Sequence, residues 1–97
     1  MGLWPISLVY VVEMIEPDGP VPIYLQLVEI LTQRIERGDW AANRPIPSEG
    51  QLVQEFGIAR GTARRAVATL REQGLVFTVP QRGTYVAPEP RTPPAKP

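Results

Sequence analysis

The chain has 97 residues, ten basic and ten acidic side chains, zero net charge, and neither cysteine nor histidine. That is material for one small domain without disulfides or thiolate metal ligation, and without the usual general base or imidazole ligand. No phosphate-cradling loop and no nucleophile paired with a base is visible, so neither an enzyme nor a cofactor is expected.

The zero charge is unevenly spread. Up to residue 58 eight acidic residues face three basic ones, whereas residues 60–82 hold five arginines and the single acid Glu72. Nucleic-acid binding depends on such a local surface and not on the total. Any one of these arginines alone reads as ordinary solvated surface; their clustering does not.

Residues 1–13 contain an apolar, β-branched and aromatic run at 8–12, too short for a membrane span and without a basic leader. Three readings stay open: an added strand, a partner-binding arm, or a segment upstream of a true start at Met14. An extension over 1–15, disordered or an extra strand, is expected before a domain over 16–87. The EPDGPVP lead-in is turn-rich, with Pro22 placed for the first turn of a helix. Ile23, Leu27, Ile30, Leu31 and Ile35 mark that helix's apolar face, Tyr24 stands at its start, and Gly38 is its expected cap. Its Glu29, Arg34, Glu36 and Arg37 read as a solvated edge, Trp40 as a core or hinge aromatic, and 41–47 as a short loop stiffened by Pro45 and Pro47.

Residues 48–74 read as two short helices around a tight turn. Ser48 can cap the first, with Gln51 at the third position of a capping box. Gly57 breaks it and Ile58 turns back into the core. In the second helix Ala63, Ala66, Val67 and Leu70 share one face, while Arg60, Gly61, Arg64, Ala68 and Arg71 lie largely on the other. Gly74 is its C-terminal cap. This is a helix-turn-helix whose arginine-bearing helix is the candidate for a major groove.

Beyond Gly74 the period changes. Residues 75–79 and 84–86 are β-prone runs around Pro80, Gln81, Arg82 and Gly83, a hairpin with a positive tip. A hairpin directly after a recognition helix is a wing, which puts Arg82 on a phosphate or in the minor groove. The fold class is therefore mainly α with a small antiparallel β hairpin, a winged helix-turn-helix. The proline-dense residues 88–97 read as a disordered tail.

The pieces PIYLQLVEILTQRIERGDW, IPSEGQLVQEFGIARGTARRAVATLREQGLV and QRGTYV, in this order within a span from Pro22 to Val86 that makes about two thirds of the chain, resemble the DNA-binding domain of the GntR family of bacterial transcription regulators. The resemblance implies a repressor or activator that binds a partly palindromic operator in double-stranded DNA as a dimer, in the cytoplasm at the nucleoid. Family members usually add a C-terminal effector-binding domain; this chain stops where one would begin, so only the DNA-binding part is expected. Carried over, Arg60 and Arg64 would read bases, Thr62 would touch phosphate, Arg65 would contact the backbone, and Arg82 and Gly83 would form the wing. The chemistry agrees. A guanidinium pairs bidentately with guanine O6 and N7, and a hydroxyl beside free N–H groups suits a phosphate oxygen, as do Ser48 and the helix start behind it.

The chain departs from the family pattern at four places. Gly50 stands where a base-contacting arginine is usual, which predicts a different operator preference or compensation by Gln51. Ala59 replaces a capping Ser or Thr, a loss on the order of 1 kcal/mol. Gly61 replaces a threonine, and Gln81 a frequent glycine. A weak homodimer, or one assembled only on DNA, is expected because one helix covers one half-site. The alternative is a protein-interaction module on a winged-helix scaffold with weak or lost DNA binding.

Overall fold

The computed structural model describes residues 14–88. The expectations attached to 1–13 and 89–97, including the apolar run and the proline-dense tail, lie outside the described residues. Within them the order is α1 (Ile23–Glu36), α2 (Glu49–Phe56), α3 (Arg60–Glu72), β1 (Val76–Val79) and β2 (Gly83–Val86). This is the expected winged helix-turn-helix.

Pro22 stands just before α1 rather than in its first turn, with φ −55° and ψ 144°, and has no side chain that can cap it. The lead-in is held instead by Gln26. Its Oε1 accepts from Glu16 N at 2.7 Å, and its Nε2 donates to the carbonyls of Glu16 and Val21 at 2.9 and 2.7 Å. At the other end Asp39 N donates to the Arg34 carbonyl and Gly38 N to that of Ile35, the paired closure of a Schellman motif. Leu75 and Gly74 repeat this pattern on Leu70 and Arg71 at the end of α3.

The core is wholly apolar. Leu27, Ile30 and Leu31 of α1, Leu52 of α2 and Leu70 of α3 are essentially inaccessible, and each burial contributes about 1.5–3 kcal/mol. Ala63 and Ala66, both fully buried, are the small side chains on the inner face of α3. They let that helix approach its neighbours closely, as the shared face at spacings of three and four predicts. Trp40 packs at the edge of this cluster. Arg34 departs from its reading as solvated edge. Its guanidinium bonds the Glu55 carboxylate at 2.7 Å and lies 5.4 Å from the centre of the Phe56 ring, with only 13% of the side chain exposed. It ties α1 to the end of α2.

Gly57, at φ 65°, ends α2 in the left-handed region that an L side chain enters only at a cost. This makes the sharp turn into α3. The wing pairs Val76 with Val86, Phe77 with Tyr85, Thr78 with Thr84 and Val79 with Gly83, antiparallel. The loop 41–47 is more than a connection. Ile46 N donates to the Thr84 carbonyl and Val86 N to that of Arg44, both at 2.9 Å, so residues 44–46 line the free edge of β2. Pro45, which has no N–H to offer, is suited to that outermost position. The wing is thereby anchored to the start of α2.

Candidate nucleic-acid interface

The first turn of α2 is built by its cap. Ser48 Oγ accepts from Gln51 N at 3.1 Å, and Gln51 Oε1 accepts from Ser48 N at 2.8 Å, a complete capping box. Gln51 thus has its acceptor committed to the helix start; its amide NH2 makes no hydrogen bond among the described residues. The box sets Glu49 in the first turn, facing α3. There Glu49 Oε1 stands 3.5 Å from Arg64 Nη2 and 3.8 Å from Arg60 Nη1. Gly50 beside it has ordinary room for a side chain, since an added Cβ would meet Arg60 Nη2 at 3.8 Å and Ser48 Oγ at 3.9 Å.

These groups border an open groove of about 750 Å³ between the start of α2, the outer face of α3 and the wing. Arg60, Arg64 and Arg71 enter it from α3, Arg82, Gly83, Thr78 and Thr84 from the wing, and Ser48, Glu49, Gly50 and Gln51 from α2. Four guanidinium groups and one carboxylate share it, so the groove is electropositive although the whole chain is neutral. Arg60 and Arg64 are 61% and 65% exposed, free to reach outward. Arg71 is held more closely. Its Nη1 donates to Thr78 Oγ1 at 2.8 Å, and that oxygen lies 3.2 Å from Thr84 Oγ1. The wing is so latched to α3.

The remaining candidates lie elsewhere. Gly61, Thr62 and Arg65 border a second, shallow depression on the flank of α3, shared with Ile23, Tyr24 and Ala59. Ala59 has the extended backbone of a cap but no side-chain bond to give, as expected for alanine. Gln81 sits exposed at the tip of the wing with φ 66°, next to Arg82, whose N–H closes the turn on the Val79 carbonyl at 3.0 Å. The structure thus divides the ten candidate residues into a groove set, a flank set and a wing tip.

Glu49 and Tyr24 join these surfaces without having been expected there, and Arg71, expected on the outer face of its helix but not among the contact residues, also lines the groove. Arg71 had a signal, since it follows Arg64 by two helical turns on the same face. Glu49 and Tyr24 had none that separates them from a first-turn acid and a packed aromatic.

Among the described residues no group of three or more His, Cys, Asp or Glu side chains could hold a metal ion, and no helix is long and apolar enough to cross a membrane. Residues 23–86 match the family model of bacterial regulatory proteins, gntR family. The chain belongs to the GntR family. Its winged helix-turn-helix is the DNA-binding domain of a GntR-type regulator.

The chain is 38% identical over 73 residues to the HTH-type transcriptional repressor NagR of Bacillus subtilis, a match covering 75% of this chain and 30% of that protein. The histidine utilization repressor of Pseudomonas putida is 38% identical over 74 residues, covering 76% of this chain and 29% of the relative. The match therefore spans less than a third of either curated relative. Among solved structures, the DNA-binding domain of AraR in complex with operator ORE1 has a TM-score of 0.67 at 39% identity, over 69% of this chain and 82% of that one. A GntR family transcriptional regulator from Listeria monocytogenes has a TM-score of 0.70 at 29% identity, over 74% of this chain and 63% of that one.

Proposed function

We propose that this GntR-family domain binds double-stranded DNA sequence-specifically, with α3 in the major groove and the wing along the backbone or in the minor groove. The observation that carries this reading is the convergence of Arg60, Arg64, Arg71 and Arg82 on one groove along the outer face of α3. A major groove about 12 Å wide admits one helix, and guanidinium groups on its outer face reach guanine O6 and N7. Arg60 and Arg64 are the base readers, with Ser48, Gln51, Gly83 and Arg82 beside them. Thr62 and Arg65 meet phosphates from the flank, next to Gly61, and Gln81 shapes the wing tip. The likeness to the AraR domain in complex with its operator supports the same docking. A partly palindromic operator is read by two copies, one α3 per half-site. Unbiased selection of bound duplexes, followed by counting the chains on one selected site, tests this. Enrichment of a two-fold symmetric sequence holding two chains is the expected result, and no enrichment of any sequence would contradict it.

The second reading, a protein-interaction module, is favoured by one observation. Met14, Val21 and Leu25 are exposed around an apolar depression of about 300 Å³ at the start of α1. A stable protein complex without any selected DNA sequence is the outcome that would favour it.

A further inference from the structure

Arg65 is oriented differently from the other arginines of α3. Arg60 and Arg64 share the Glu49 carboxylate, and Arg71 is bonded to Thr78. Among the described residues no carboxylate pairs with Arg65; instead its Cζ lies 3.9 Å from the centre of the Tyr24 ring. Tyr24 is half-buried at the start of α1 and packs against the core, so the ring is a fixed platform while Arg65 stays exposed. A carboxylate that orients a guanidinium also cancels its attraction for phosphate. An aromatic face orients the cation through its quadrupole and leaves the net charge intact.

We propose that Tyr24 is a positioning residue of the DNA-binding surface: its ring holds the Arg65 guanidinium, fully charged, on the flank of α3 for a phosphate of the duplex backbone. This rests on the DNA-binding reading and extends the docking surface to the first turn of α1. Arg65 carries a long, rotatable side chain whose ordering opposes binding, and the ring meets part of that cost before DNA arrives. The effect is independent of base sequence, because the group contacted is phosphate.

The test is a double-mutant cycle on duplex binding with Tyr24→Leu, Tyr24→Phe, Arg65→Ala and the Tyr24→Leu/Arg65→Ala pair. Ring-current shifts of the Arg65 side-chain protons are recorded alongside. Tyr24→Leu is expected to weaken selected and random duplexes alike by about two- to five-fold, the size of an exposed cation–π contact. Tyr24→Phe is expected to match the unsubstituted chain, and Tyr24→Leu to add nothing once Arg65 is alanine. The upfield shift of the Arg65 protons is expected with Tyr or Phe and lost with Leu, a readout that does not depend on DNA. The proposal is overturned if Tyr24→Phe weakens binding as much as Tyr24→Leu, or if Tyr24→Leu costs as much without Arg65. Absence of the ring-current shift in the unsubstituted chain overturns it as well. Binding of no duplex by the unsubstituted chain, with the ring-current shift present, overturns the DNA-binding reading and this role together.

Discussion

Glu49 Oε1 and Arg64 Nη2 lie 3.5 Å apart, an acid in the first turn of α2 against an arginine on the outer face of α3. The same oxygen is 3.8 Å from Arg60, so a single carboxylate lies beside two of the four groove arginines. Exposed pairs of this kind are worth about 0–1 kcal/mol to folding. Their larger consequence is electrostatic, because Glu49 opposes the approach of any phosphate.

Glu49→Ala is therefore expected to bind random-sequence DNA more tightly, with a steeper salt dependence, while its preference for the selected site narrows. The thermal midpoint should move little. Titrating selected and random duplexes at several salt concentrations measures both effects.

Ala59→Ser should stabilise the domain. Ala59 has φ −73° and ψ 150°, close to the −72° and 167° of the working cap Ser48, so a hydroxyl there is already placed for the start of α3. The expected gain is about 1 kcal/mol, a rise of roughly 4–8 °C in Tm for a domain of this size. Calorimetry checks it.

Gln81→Gly should also stabilise, since φ 66° at the wing tip is strained for glutamine and natural for glycine. The expected gain is about 1 kcal/mol before the extra freedom of glycine in the unfolded chain is subtracted. Denaturant unfolding would show a raised midpoint with an unchanged slope.

Leu70→Ala should cost about 2–5 kcal/mol, because Leu70 is fully buried in a core without polar groups to rearrange. A loss under 1 kcal/mol in denaturant titration would place the core elsewhere.

The Arg37 guanidinium, hydrogen-bonded to Asp39 at 2.9 Å, holds the Asp39 carboxyl below its ordinary value of 3.8. A lowered carboxylate pKa contributes stability that is present above pH 3.8 and is lost as pH falls through the folded value. Both side chains are more than a third exposed, so the contribution is small and screened by salt. Asp39→Asn should thus lower Tm slightly at pH 6, with the difference from the unsubstituted chain closing below pH 3.8.

Most of the fold was legible because local signals agreed with one another. The apolar spacing of Ala63, Ala66, Val67 and Leu70, the capping box of Ser48 and Gln51, and the break at Gly57 each name the same helix-turn-helix. The groove arginines were legible from their clustering. Contacts between elements were not. Arg34 and Glu55 are 21 positions apart, and Tyr24 and Arg65 meet only because α1 packs across α3. The pairing of residues 44–46 with β2 was hidden for the same reason, since a run holding Pro45 and Pro47 carries no strand period.

In the proposed docking the arginine side of α3 reads bases. Arg64→Ala and Arg65→Ala, compared on selected and random duplexes over a range of salt, test it most directly. The expected result is that Arg64→Ala costs about 1–3 kcal/mol on the selected site and relaxes one base position. Arg65→Ala should weaken every sequence alike and reduce the salt slope by about one. Unchanged affinity and unchanged base preference in Arg64→Ala would contradict the assignment of that face to DNA.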